Sequence, residues 1–464
     1  MSQLFLTVLI PFFGAVLILG SPKRYRPYVA VTALGLTFIF SLATLFIALR
    51  LNELYFHKFI TSWLSISFTG DGLAVFMAAV SSFVAFLISI YSLEYMSQTD
   101  FAAEFYFWML VFVGSMMGLV FSANLILLYC FWEMTAVCSW RLIGFYRKEK
   151  DIKAADRAFL VTFVGASLML AGIVLVYISC GTLDIAFLKG KTISNLAALL
   201  LLAGIISKSA QLPFQTWLPD AGVAPTPVTA LLHAAVLVKI GVYVFARLFG
   251  ATFFASVDFT ATAIAISSVT IIVGGAAALV ENNIKRILAY STISQLGYIL
   301  LVLSISDGIS LQIGLLYVLA HSLAKAGLFL CAGIIEHKTK TKDLNELGGL
   351  LKTMPLTAAA YLLCAFSIIG LPPFLGFWPK LMTILLSFKR DHFFAGYMAL
   401  IGALFTLFYL MRLFNKAFLG GVNTEASKEA SPKMVGVVLT LGFLSFLLGI
   451  LVKLPLNILT RLLM

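Results

Sequence analysis

Along this chain, apolar runs of about 20 residues alternate with short polar segments, the length a helix needs to cross a bilayer. About fourteen such runs begin near residues 3, 28, 72, 105, 125, 155, 196, 226, 257, 286, 309, 355, 393 and 433. Strands of a β-barrel would be about half as long and would alternate in polarity, so the pattern predicts helices. The longest gaps, 49–71, 336–354 and 416–432, leave no room for a soluble domain.

Two runs carry backbone breaks. In SKSAQLPFQTWLP, Pro213 follows Lys208 by five residues; in GLPPFLGFWPK, Pro372, Pro373 and Pro379 precede Lys380. Proline removes a helix hydrogen bond, and broken membrane helices are tolerated only in protein-lined or wet interiors. These are the seventh and twelfth runs. Their spacing suggests a five-helix unit used twice, spans 4–8 and 9–13, and an odd number of helices inverts the second copy. Inverted repeats with discontinuous helices are a transporter signature. The expected fold is an all-α integral membrane protein of about 14 transmembrane helices, with two inverted five-helix repeats and broken helices 7 and 12. The expected division is an N-terminal three-helix segment (1–104), a first repeat (105–250), a second (251–420) and a C-terminal span (421–464).

Composition agrees. The 464 residues are 61% hydrophobic, 14% aromatic and 11% charged, with mean hydropathy +1.03. Soluble domains carry about 25% charged residues, so a cytosolic enzyme, a secreted disulfide scaffold and a disordered tail are excluded. Cysteines at 130, 138, 180, 331 and 364 form no CxxC pair, and neither zinc nor a disulfide framework is indicated. The first run reads as a membrane span, with no cleavable signal pattern. With the N-terminus outside, inward loops hold eighteen Lys/Arg, Lys428 among them, and outward loops nine, Arg247 among them. The positive-inside rule then puts both termini on the outer side and accounts for most of the +12 net charge without nucleic acid.

Five cations remain inside spans: Arg141, Lys208, Lys239, Lys325 and Lys380, with Glu133 as the acid. A mid-membrane charge costs at least ~2.5–3.5 kcal/mol and marks a function by default. Snorkelling or a structural ion pair explains one such residue, but one glutamate cannot neutralise four lysines on four helices. Burial disfavours a charged amine and a nearby carboxylate restores it, so a row of such lysines can take up and release protons as a relay. His233 and His321 also lie within spans. A lone membrane histidine is commonly a packing residue, yet His321 stands at i,i+4 from Lys325, on one helix face. Arg141, which rarely deprotonates, reads as an inner-end anchor or ion-pair partner.

The motifs FWEMTAVCSWRLIGF, IISKSAQLPFQTWLPDAGVAPTPVTALLHAAVLVKIGVYVFAR, NNIKRILAYSTISQLGY, HSLAKAGLFLCAG and GLPPFLGFWPK resemble the antiporter-like subunits of respiratory complex I, Mrp-type cation/proton antiporters and membrane-bound energy-converting hydrogenases, including formate hydrogenlyase. The resemblance runs over about residues 70–420, and DGLAVFMAAVSSF…YSLEYM is most like NADH dehydrogenase subunit 5 and the large Mrp subunit. It implies that Glu133 pairs with Lys208, that Lys239 follows as the central lysine with His233 beside it, and that the path continues through His321 and Lys325 to Lys380. A redox event elsewhere would open the Glu133–Lys208 pair and shift protons along the row. Asn283 stands where the family often carries an acid, Arg141 where it commonly has an uncharged residue, and Lys380 where the subunit-4 type usually has glutamate. The chain is expected to lack the lateral helix or further spans of its larger relatives.

The sequence therefore predicts an ion-translocating subunit moving H⁺, with Na⁺ movement left open, in a prokaryotic inner membrane beside other membrane subunits, including sister antiporter-like ones, and lipid. It has no GxGxxG, GxxxxGK[ST], HExxH or cysteine cluster, so no cofactor is expected in this chain. Any iron–sulfur, nickel–iron or flavin centre falls to partner subunits. Two other classes compete: a proton-coupled module powering inorganic-carbon uptake, and a stand-alone secondary solute carrier, which would need a midplane substrate pocket.

Overall fold

Lipid offers backbone groups no partner, so each apolar run closes its hydrogen bonds within itself. The computed structural model describes residues 2–51, 54–59, 65–97, 99, 101–305, 308–421 and 429–463. Its helices are α1 (Ser2–Gly20), α2 (Arg26–Leu51), α3 (Gly72–Tyr95), α4 (Ala102–Phe121), α5 (Leu125–Ile143), α6 (Glu149–Cys180), α7 (Asn195–Lys208), α8 (Thr226–Gly250), α9 (Val257–Val280), α10 (Ile284–Ser304), α11 (Ser310–Thr339), α12 (Pro355–Ile369), α13 (Phe377–Lys389), α14 (Phe393–Phe418), α15 (Pro432–Ile450) and α16 (Lys453–Leu463). Among the described residues, twelve helices are long and apolar enough to cross a membrane, and α7 and α12 are shorter apolar helices. Those two are the runs interrupted by proline, and α13 completes the second.

Two elements escape a search for long apolar runs. Tyr55–Phe59 and Ser65–Thr69 pair as an antiparallel hairpin, pinned to α1 by edge contacts from Phe5 to Phe56 and Phe68, ring centroids 5.0 and 5.7 Å apart. The other is α16, eleven residues long, which buries Pro455, Leu459 and Leu462 at i, i+4 and i+7 and leaves Asn457 and Arg461 exposed. Its end rests on the start of α3, where a Cβ on Gly72 would lie 1.8 Å from the Leu462 carbonyl oxygen.

Burial sorts the helices into a centre and a rim. The most apolar window of α8 is 100% buried and those of α10 and α11 are 94% buried, against 39% for α1, α2, α6 and α14. A helix apolar all round belongs inside, whereas rim helices keep one face for lipid.

The same construction occurs twice, roughly 160 residues apart. Asn124 caps α5 by accepting from Ile126 N at 2.9 Å and pairs across a β-bridge with Asp184. Asn283 caps α10 by accepting from Lys285 N at 3.0 Å and pairs likewise with Asp343. The breaks after α7 and α12 each hold a cis proline, Pro213 and Pro373, followed by a tryptophan, Trp217 and Trp378. Five spans separate the copies, so the second runs in the opposite sense. Asn283 thus has a capping role at α10.

Four contacts between loops and helix ends fall within the groups of the charge count. In one group, Gly190 N donates to Thr252 O at 2.7 Å and Phe254 N to Lys191 O at 3.2 Å. In the other, Lys416 Nζ donates to Asn345 Oδ1 at 2.9 Å, and Arg412 donates to Leu279 O at 2.6 Å. Lys428 lies outside the described residues. Arg247, expected in a loop, instead closes α8 as a buried side chain, because its guanidinium pairs with Asp71, the cap of α3.

Candidate functional site

The lysines that hydropathy singles out lie deep in the protein. Lys208, Lys239, Lys325, His233 and His321 are wholly buried and Lys380 nearly so. None reaches an interface, which removes the snorkelling explanation. Among the described residues no carboxylate oxygen makes an ion pair with any of the four amines; their partners are backbone carbonyls, a hydroxyl and an imidazole.

Helix breaks supply several of those acceptors. The last carbonyls of a helix have no intrahelical partner and carry its negative dipole end. Lys380 Nζ donates to two of them at the end of α12, Ile368 O at 2.6 Å and Ile369 O at 3.1 Å. Gly370, at φ +86°, turns the chain away there, and a Cβ on it would stand 3.0 Å from the Lys380 stem. The Tyr298 ring centroid lies 5.1 Å from the same ammonium, within cation–π range.

The centre is α8 against α11. Here α8 widens into π-helix at Leu231–Ala235 and again at Ala246–Gly250, the kind of bulge that recurs at functional sites. No proline lies within either stretch, and Pro227 sits in the first turn of α8, where a missing N–H breaks no helix bond, so the sequence gives no warning of this third irregular helix. Lys239 Nζ lies 2.7 Å from His321 Nδ1 and donates to Val318 O at 3.3 Å. One turn along α11, Lys325 Nζ donates to Ser291 Oγ at 2.6 Å and to Leu288 O at 3.1 Å.

From Lys325 a polar stripe of α10 leads toward Lys380. Ser291 Oγ and Tyr409 Oη are hydrogen-bonded at 2.6 Å, and either hydroxyl can donate. Gln295 Nε2 donates to Thr406 Oγ1 at 3.2 Å, and Tyr317 Oη donates to Gln295 Oε1 at 2.8 Å. Tyr298 follows. Ser291, Gln295 and Tyr298 stand at i, i+4 and i+7, hence on one face of α10. That spacing inside YSTISQLGY is the signal that singling out only charges and histidines overlooks.

Two expected neighbours do not meet. Glu133 makes no ion pair with Lys208: the lysine, last residue of α7, donates to Trp132 O at 3.2 Å and stands 5.3 Å from the Trp132 ring centroid. Consecutive residues of a helix point about 100° apart, so the Glu133 side chain faces a cleft of α4 and α5 beside Trp108, Tyr129 and Cys130, with Oε1 buried and unpartnered. His233 likewise misses Lys239. Its ring lies 4.4 Å from that of Phe329, both nitrogens buried without a hydrogen-bond partner, and the histidine at the central lysine is His321. No hydrogen bond joins Lys208 to Lys239; Gln211, in the break after α7, donates to Ser209 O and to Ile293 O of α10. Arg141 anchors the end of α5 through Glu104, which also takes Arg147 at 2.6 Å.

Residues 122–406 match the family described as "NADH:quinone oxidoreductase/Mrp antiporter, TM", and residues 59–106 match "NADH-Ubiquinone oxidoreductase (complex I), chain 5 N-terminus". The chain is 33% identical to NADH-quinone oxidoreductase subunit L of Escherichia coli, over 98% of this chain and 78% of that protein. It is 36% identical to a Na(+)/H(+) antiporter subunit of Bacillus subtilis, over 76% and 48%. It is 34% identical to the chloroplastic NAD(P)H-quinone oxidoreductase subunit 5 of Physcomitrium patens, over 90% and 63%. The chain thus spans about half to two thirds of the length of the last two. A chain in the structure of the Mrp complex from Dietzia sp. DQ12-45-1b superposes with a TM-score of 0.91 at 23% identity, covering 100% of this chain and 97% of that one. That match concerns the fold.

Proposed function

We propose a function from one premise: the chain belongs to the NADH:quinone oxidoreductase/Mrp antiporter family of transmembrane proteins. On this premise it is the proton-translocating, antiporter-like membrane subunit of a multisubunit ion pump. Partner membrane subunits stand beside it, and any iron–sulfur, nickel–iron or flavin chemistry is on partner subunits. Residues 105–250 and 251–420 act as the two inverted repeats, 1–104 and 421–464 flank them, and both termini lie on the outer side.

One observation carries the reading: the amines of Lys239 and Lys325 are buried without a carboxylate, one on an imidazole nitrogen and the other on a hydroxyl. A protonated Lys239 can donate along the 2.7 Å contact to His321 Nδ1, and the ring releases a proton from Nε2, buried without a hydrogen-bond partner, only once that nitrogen turns to an acceptor. Lys325, one turn away, can pass a proton to Ser291 Oγ as that hydroxyl hands its own toward Tyr409. The α10 stripe then leads to Lys380. Lys208 with Glu133 forms the other end, where a neighbouring charge would bias the row. His233 is a packing partner of Phe329 that the relay can recruit only by turning its ring. Moving one charge against 100 mV requires ~2.3 kcal/mol, which this chain does not itself supply. A line of ionisable groups fits ion transfer better than an organic-solute pocket.

The test is Lys325→Ala in the intact complex, with proton translocation by reconstituted vesicles as the readout. Translocation falls to background while partner subunits still co-purify; wild-type translocation by the assembled variant refutes the relay.

A further inference from the structure

The helix α6 is longer than its membrane crossing requires. Its 32 residues rise about 48 Å at 1.5 Å each, against a hydrocarbon layer of about 30 Å. The uninterrupted apolar run starts only at Ala158, so Glu149–Arg157 stand at headgroup level. There α6, the turn ending at Asp220 and the start of α10 enclose a cleft of about 260 Å³, lined by Lys150, Lys153, Arg157, Arg286 and Lys342, with Asp220 as its carboxylate.

Those cations are only partly neutralised. Arg157 and Arg286 share Asp220, at 2.6 and 2.8 Å. Arg286 also takes Glu281 and Lys153 takes Glu149. Glu336 serves both Lys342 and the buried Lys285. Lys150 has no ion-pair partner among the described residues. With Lys150, six basic groups meet four carboxylates in these contacts, Asp151 and Asp156 of α6 lying outside the cleft lining, an excess suited to one phosphate. On α6, Lys153, Arg157, Leu160 and Val164 stand at i, i+4, i+7 and i+11, one face of the helix, and Leu160 and Val164 are exposed. Charge at headgroup height sits directly over an apolar track.

We propose that this cleft binds the phosphate of an anionic phospholipid, with an acyl chain lying along Leu160 and Val164 of α6. Basic pockets between membrane helices take acidic headgroups in this way. Free inorganic phosphate shares the headgroup chemistry but has no use for the apolar track.

The test uses the purified intact complex, titrated separately with phosphatidylglycerol, phosphatidylcholine of the same chain length, and inorganic phosphate, with bound ligand read by native mass spectrometry. Lys150→Gln combined with Lys153→Gln leaves the Asp220 arginines in place. Phosphatidylglycerol binds in preference to phosphatidylcholine, and the double variant weakens it by roughly fivefold for each charge removed. Phosphatidylglycerol affinity unchanged in the double variant overturns the proposal. So does binding of inorganic phosphate with the same lysine dependence and no preference between the two lipids.

Discussion

At the scale of single residues, acceptor chemistry distinguishes the buried amines. Lys380 is cradled by carbonyls that a helix end leaves free, whereas Lys239 and Lys325 each meet a titratable or hydroxyl side chain, an imidazole and a serine. Ser291→Ala removes the hydroxyl from Lys325 and from Tyr409 together. A hydrogen bond to a charged group contributes about 1.5 kcal/mol, so vesicle proton translocation should slow about tenfold with assembly intact; an unchanged rate removes Ser291 from the path. His233→Ala should slow it less than His321→Ala, since only His321 touches a relay amine. A different titration sits outside the membrane. Burial pushes the Asp71 carboxyl up, but the charge and hydrogen bonds of Arg247 outweigh it and hold the group below its ordinary 3.8. A carboxyl depressed in the folded state stabilises above the unfolded value and loses that contribution as pH falls through the folded one. Asp71→Asn should therefore lower the melting temperature at pH 7, with the gap to wild type closing below about pH 3.8. A gap that widens on acidification contradicts the assignment.

At the scale of elements, the breaks are where sequence and structure meet best and also where they part. Proline announces the interruptions after α7 and α12, because its missing donor is written in the sequence itself. The π-helical stretches of α8 contain no proline and carry no such mark. The same lack of a mark hides α16, too short for a span, and the turning of Glu133 away from Lys208, since a spacing along α5 does not say which face meets α7. Gly376 tests the second break. A Cβ there would fall 1.9 Å from the Ser367 carbonyl oxygen, while nothing lies within 4 Å of one on Gly436. Overpacking costs typically 1–3 kcal/mol, and opening this turn pulls the α12 carbonyls from Lys380. Gly376→Ala should lower both thermal stability and translocation, with Gly436→Ala, a mid-helix glycine in α15, neutral or mildly stabilising. Equal behaviour of the two variants would show that the tight turn is not needed.

At the scale of the whole molecule, sidedness connects everything. The charge count assigns each loop to a face from the sequence alone, and the structure groups them independently. Residues 150, 153, 157, 286 and 342 line one cleft, and residues 189, 247 and 251–252 line another with Asp71. This grouping was legible because loop charges report the membrane's asymmetry, but which face is cytoplasmic rests on the count. In cells with intact membranes, Lys150→Cys should react with a membrane-impermeant maleimide only after permeabilisation, and Lys453→Cys without it. Both lysines are exposed, so silence at both positions cannot be blamed on burial in this chain. The reverse pattern would invert the direction in which the row from Lys208 to Lys380 takes up and releases protons, while leaving its internal contacts untouched. The relay and its polarity are therefore separable, and only this labelling fixes the second.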